Sequence, residues 1–160
     1  MHKLLTNLFL IVIISFHFVS CKEDIDPAKQ TELNRNKIIH EAPIKNKYEI
    51  EKPIDNLPEN IKAFSGHWVG KWNDVIPSQL VVVSINHAEV SFIYSWGANQ
   101  HKGIESGIIT ETAMLDERGR IKYVNDDLSL TFTVDTLLNK VIGVSIRGDV
   151  VSNIVMEKVK

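Results

Sequence analysis

Only one cysteine, Cys21, occurs in the 160 residues, so no disulfide can close within the chain and any fold must be held by its core. An excess of one charge is also missing. The 18 basic and 20 acidic residues leave a formal charge of −2, which offers no electrostatic footprint for nucleic acid. No acidic residue precedes Glu23, and no glycine precedes Gly66. Four of the five prolines (Pro27, Pro43, Pro53 and Pro58) fall between residues 22 and 63. Long apolar runs are absent too. The longest, Leu8–Ile14, is followed by Ser15 and His17 and falls short of the roughly 20 apolar residues that span a bilayer.

The usual marks of catalysis are equally scarce. Ser95 does not sit in a Gly-x-Ser-x-Gly elbow. His67, His87 and His101 stand apart, without the His-x-His or His-x-x-x-His spacing of a metal site. Asp116-Glu117 and Asp126-Asp127 are adjacent carboxylates in turn-forming stretches, where solvation is their ordinary state. No glycine-rich phosphate loop occurs. The residues therefore point to no catalytic group, no metal and no cofactor.

What is present begins with a leader. Lys3, the apolar run and a small residue before a break have the layout of a secretory signal over residues 1–20. Its end, Phe18-Val19-Ser20-Cys21, resembles the lipobox of bacterial lipoproteins, with Phe18 at the usual leucine position. The resemblance implies cleavage before Cys21 and a diacylglycerol on its thiol, the strongest nucleophile among side chains. Lys22 stands where many lipoproteins carry an inner-membrane retention aspartate, which implies an outer-membrane destination. Lys22-Glu23-Asp24 also resembles a short acidic signal for display at the cell surface. Residues 21–63, polar and proline-bearing, read as a lipidated cysteine followed by a flexible, disordered tether, with a short helix allowed around 29–40.

From residue 64 the texture changes to β-branched and aromatic residues alternating with polar ones. Eight strands are expected: 66–72, 79–85, 89–96, 106–113, 120–124, 128–134, 140–147 and 150–159. Leu128, Leu130, Phe132 and Val134 share one face, with Ser129, Thr131 and Thr133 on the other. Short loops such as Asn86-His87-Ala88 and Gly148-Asp149 suit antiparallel neighbours. The expected fold over 64–160 is an all-β, antiparallel, eight-stranded up-and-down barrel, which removes sheet edges by closing.

Two motifs stand out in that region. Gly66-His67-Trp68-Val69-Gly70-Lys71-Trp72 puts Trp68 and Trp72 on one face, and Gly66-x-Trp68 resembles the opening motif of the calycin superfamily, the lipocalin-like barrels. The resemblance implies that the tryptophan closes one barrel end and that a late-strand arginine, here Arg147, stacks on it. Tyr94-Ser95-Trp96-Gly97 leads into a loop with Asn99, Gln100 and His101. Tyr94, Trp96, Asn99 and His101 are the candidate ligand-binding rim. Two functions are expected from these features. The barrel of a lipid-anchored envelope protein binds a small apolar or amphipathic ligand, or it serves as a protein-interaction or hydrolase-accessory module without a small-molecule cavity. Its partners are then the membrane, through Cys21, and a small apolar ligand or an envelope protein.

Overall fold

A computed structural model of the chain describes residues 26–126 and 128–159. The expected leader, Cys21 and the residues up to 25 lie outside the described residues. Eight antiparallel strands close into a barrel in sequence order: β1 (Gly66–Trp72), β2 (Ile76–Ile85), β3 (Glu89–Trp96), β4 (Gly107–Leu115), β5 (Ile121–Asn125), β6 (Leu128–Asp135), β7 (Lys140–Arg147) and β8 (Val150–Lys158). The expected up-and-down barrel is therefore the observed one, and β1, β3 and β7 have the expected bounds. β2 starts earlier, at Ile76, because its first residues pair back onto Lys71 and Trp72.

Alternation sorts the side chains. Cross-strand partners share a face, so the pairs Trp68–Leu80, Phe92–Val82, Phe132–Gly143 and Ile154–Gly143 all face the interior. The inward residues Trp68, Leu80, Phe92, Ile121, Leu130, Phe132, Val141, Ile154 and Met156 are buried and form one continuous core. Trp72 and Tyr94 both lean on Phe132, at ring-centroid distances of 6.2 and 5.9 Å. Each such aromatic removes a large apolar area from water, which is the main stabilisation available to a chain without disulfides.

The stretch read as a tether departs from that expectation over residues 27–63. Helix α1 (Pro27–Glu41) and the short helix α2 (Glu59–Lys62) both belong to the folded body. Asp26 caps α1 by accepting from the Ala28 amide, and Pro27 occupies the first turn, where its missing N–H costs nothing. Leu57, Ile61 and Phe64 are buried and close the barrel end next to Trp68. The physical reason for the departure lies on the barrel's outer wall. Val69, Gln79, Val81, Ile93 and Ser95 point outward by alternation yet are buried, so this wall needs a cover, and the end of α1 supplies it.

α1 has few apolar residues, and polar contacts hold it. Ser95 Oγ donates to the Ala42 carbonyl at 2.7 Å, and Gln79 Nε2 donates to the same carbonyl and to that of Ile39. Further back along the helix, Arg35 pairs with Glu157 on β8 at 3.4 Å. The contacts thus step from β3 and β2 at the helix C-terminus to β8 at its middle. From Asp26 to Asn34 most residues are exposed.

The barrel seam is uneven. β4 pairs with β3 over eight positions but with β5 over only two, Met114–Lys122 and Leu115–Ile121. From Gly107 to Ala113 the other edge of β4 has no strand partner among the described residues.

Candidate functional site

The expected motif residues divide between the two barrel ends. One end holds the start of β1, the end of β8 and the residues that close it, Leu57, Ile61 and Phe64. Trp68 sits there, buried, its indole Nε1 donating to the Phe64 carbonyl at 2.7 Å. The cation over its ring is Lys158, with Nζ at 4.9 Å from the ring centroid. Arg147 does not occupy this position. Its strand register sets it opposite Leu128 and Val150, at the far end of the barrel from Trp68. Strand direction explains the correction: β7 runs parallel to β1, so its first residue, Lys140, lies nearest the start of β1 and Arg147 lies past the end of β1, whereas β8 returns to the start of β1.

Gly66 serves the same arrangement. Its φ of 133° lies in the region that favours glycine, and a Cβ there would meet the Lys158 side chain at 2.5 Å. The Gly-x-Trp motif thus gives Lys158 a channel to reach the indole. Burial lowers the Lys158 ammonium below its ordinary pKa.

The other end carries the expected rim. Tyr94 is buried inside the barrel, not at its lip. The Trp72 indole N–H donates to its hydroxyl, which in turn donates to Ser78 Oγ at 3.4 Å. Burial pushes the phenol up to about 12, so it stays protonated. Trp96 stacks on Tyr94 at 5.8 Å with 27° between ring planes, and its Nε1 donates to the Glu105 carbonyl at 2.8 Å. Its ring lies flat on Gly107, where any Cβ would collide with it. Asn99 caps the 3-10 turn Gln100–Lys102, its Oδ1 accepting from the Lys102 amide at 3.2 Å. His101 stands exposed on that turn. Tyr94 and Trp96 are brought together, but no ring contact or hydrogen bond joins His101 to either.

One polar cluster escaped the sequence reading. Outward-facing His67 on β1 accepts at Nδ1 from the Tyr48 hydroxyl (3.1 Å) and donates from Nε2 to Gln79 Oε1 (2.7 Å). The amide nitrogen of Gln79 is committed to α1 carbonyls, so its oxygen must accept, and this fixes the imidazole tautomer. Burial lowers the His67 pKa from its usual 6.5. The signal was there to read. Leu80-Val81-Val82-Val83 is apolar on both faces, which marks a strand covered on both sides.

Asp116 accepts from the amides of Arg118 and Arg120 and from the Arg120 guanidinium at 2.7 Å. The Arg120 bonds hold its carboxyl at about 2, below the usual carboxylate range. It is thus a turn-forming carboxylate. The recess beside it, about 340 Å³ and open to solvent, lies outside the barrel between Leu57–Ile61 and the Asp116–Gly119 turn. Among the described residues no group of three or more His, Cys, Asp or Glu side chains is placed to hold a metal ion. Comparison with protein families, curated proteins and solved structures returned no match.

Proposed function

We propose that this chain is a lipid-anchored protein of the bacterial cell envelope, carried on the outer membrane by a lipid on Cys21, whose calycin-like barrel works from its outer surface as a protein-binding module. The observation that carries this reading is the distribution of apolar side chains. The interior is occupied by its own aromatics and aliphatics. The outer face of β7 and β8, by contrast, presents Ile142, Ile146, Val151 and Val155, which are 41–56% exposed. These four pair across the strands as Ile142–Val155 and Ile146–Val151, so they form one strip. Leu137 and Leu138 stand exposed at the β6–β7 turn. Contiguous exposed apolar surface of this kind favours a partner. The small-ligand reading receives less support, because Tyr94 and Trp96 spend their polar groups and ring faces on the barrel itself.

Two experiments test this reading. Titration with a fatty acid such as oleate, followed by tryptophan fluorescence, is expected to give no saturable change; stoichiometric binding overturns the surface-binding reading. A photo-crosslinking residue at Val151 or Leu137 in living cells is expected to trap an envelope protein, and absence of any adduct at both positions counts against it. The anchor is tested separately. Fatty-acid labelling of the wild type is expected to vanish in Cys21→Ser.

A further inference from the structure

We propose that the open edge of β4 is a docking site for an extended peptide strand carrying a basic residue, which adds to the sheet at the β4–β5 seam. This deepens the protein-binding reading above and rests on it. An isolated strand edge exposes alternating N–H and C=O groups that water satisfies poorly in register but another extended backbone satisfies fully. From Gly107 to Ala113 that edge is unpaired among the described residues, while the opposite edge of β4 is fully hydrogen-bonded to β3. The strand is therefore held rigid on one side and open on the other. Most of the usual protections of such an edge are missing, and the one present, the charge of Glu111, is what selects the partner. β4 contains no proline and no lysine, and no β4 register break is seen against β3.

The side chains along the seam define the partner. On the outer side the β4 lip presents Ile108 and Met114, and β5 presents Val124; these are 43–60% exposed. β-Branched residues on the outward face of an added strand would pack against them. On the inner side stands Glu111. Its register partner is the buried Phe92, so it belongs to the inner face of β4, yet it is exposed, at the open stretch of the seam. No ion pair or hydrogen bond engages it among the described residues. A lysine or arginine at the facing position of an added strand would supply the missing charge. The same carboxylate argues against a second copy of this chain as occupant, since pairing two β4 edges would bring two Glu111 side chains into one seam. Inside, Tyr123 reaches across from β5 to meet Phe92 edge-on at 6.0 Å, which keeps the core closed beneath the site.

The probe is a capped peptide Val-Thr-Val-Lys-Val-Thr-Val, labelled with fluorescein, with Glu in place of Lys as its counterpart. Hydrogen exchange on the full chain is expected to show alternate amides of 107–113 exchanging fast in the free protein and slowing when the Lys peptide is added. Polarisation is expected to show Glu111→Lys weakening the Lys peptide by about tenfold and strengthening the Glu peptide, as attraction is exchanged for repulsion. Fully protected 107–113 amides in the free protein overturn the proposal. So does the absence of binding, or binding indifferent to the Glu111 charge. Because these readouts use purified protein, they fail independently of any cellular adduct at Val151 or Leu137.

Discussion

At the scale of single residues, the side chains that matter most work in pairs. Lys158 and Trp68 are one: the lysine stem crosses Gly66 and its ammonium sits over the indole. Lys158→Ala should lower stability by about 1 kcal/mol, from the cation–π contact and the lost stem packing, and should shift tryptophan emission. Arg147→Ala should leave the Trp68 contribution to that emission unchanged, since Arg147 lies at the other barrel end. Urea unfolding with fluorescence detection checks both. His67 and Gln79 are the second pair. The folded protein lowers the His67 pKa below 6.5, so the unfolded chain takes up the proton more readily. The contribution is therefore intact above pH 6.5 and lost as pH falls below it. The urea midpoint should drop more steeply on acidification in the wild type than in His67→Gln; equal pH slopes would remove His67 as the source.

At the scale of elements, α1 is a helix made stable by what it covers. Its own sequence is mostly polar, and only Ile38 among its residues is buried. Gln79 and Ser95 hold its last carbonyls, so Gln79→Ala should leave the Ala42 carbonyl to Ser95 alone and strip His67 Nε2 of its acceptor, at a cost of about 1–3 kcal/mol. Amide exchange in α1 should then accelerate well before the barrel loosens. This explains what could be read from the chain and what could not. β6 announced itself through strict alternation of Leu128, Leu130, Phe132 and Val134 against Ser129, Thr131 and Thr133. α1 gave no such signal, because polar hydrogen bonds to residues some forty positions away leave no local periodicity. Likewise the Gly-x-Trp motif identified the closed end, but choosing its cation required the strand directions, which put Lys158 there and Arg147 away from it. The rim was half legible. Alternation correctly put Tyr94 and Trp96 on one face, but it could not tell that Gly107 would leave room for the Trp96 ring to lie down.

At the scale of the whole molecule, the barrel is filled by its own side chains. Leu57, Ile61 and Phe64 close one end, and the Tyr94–Trp96 stack lies toward the other. Phe132 touches both Trp72 and Tyr94, so Phe132→Ala should cost about 3–5 kcal/mol as a cavity opens between them. A loss below about 1 kcal/mol, seen in urea denaturation, would mean that the interior relaxes more freely than this packing implies.

The docking of α1 also changes how the protein explores its surroundings. A free chain of 42 residues between Cys21 and Phe64 would let the domain roam with a typical end-to-end reach of about 35 Å. With the fold beginning at α1, only residues 22–26 separate the proposed anchor from Pro27, a leash of at most about 20 Å. A barrel on so short a leash searches a thin layer of space. Its local concentration toward neighbours on the same membrane is raised accordingly, and weak contacts at the β4 edge would suffice among co-anchored proteins where they would fail in free solution.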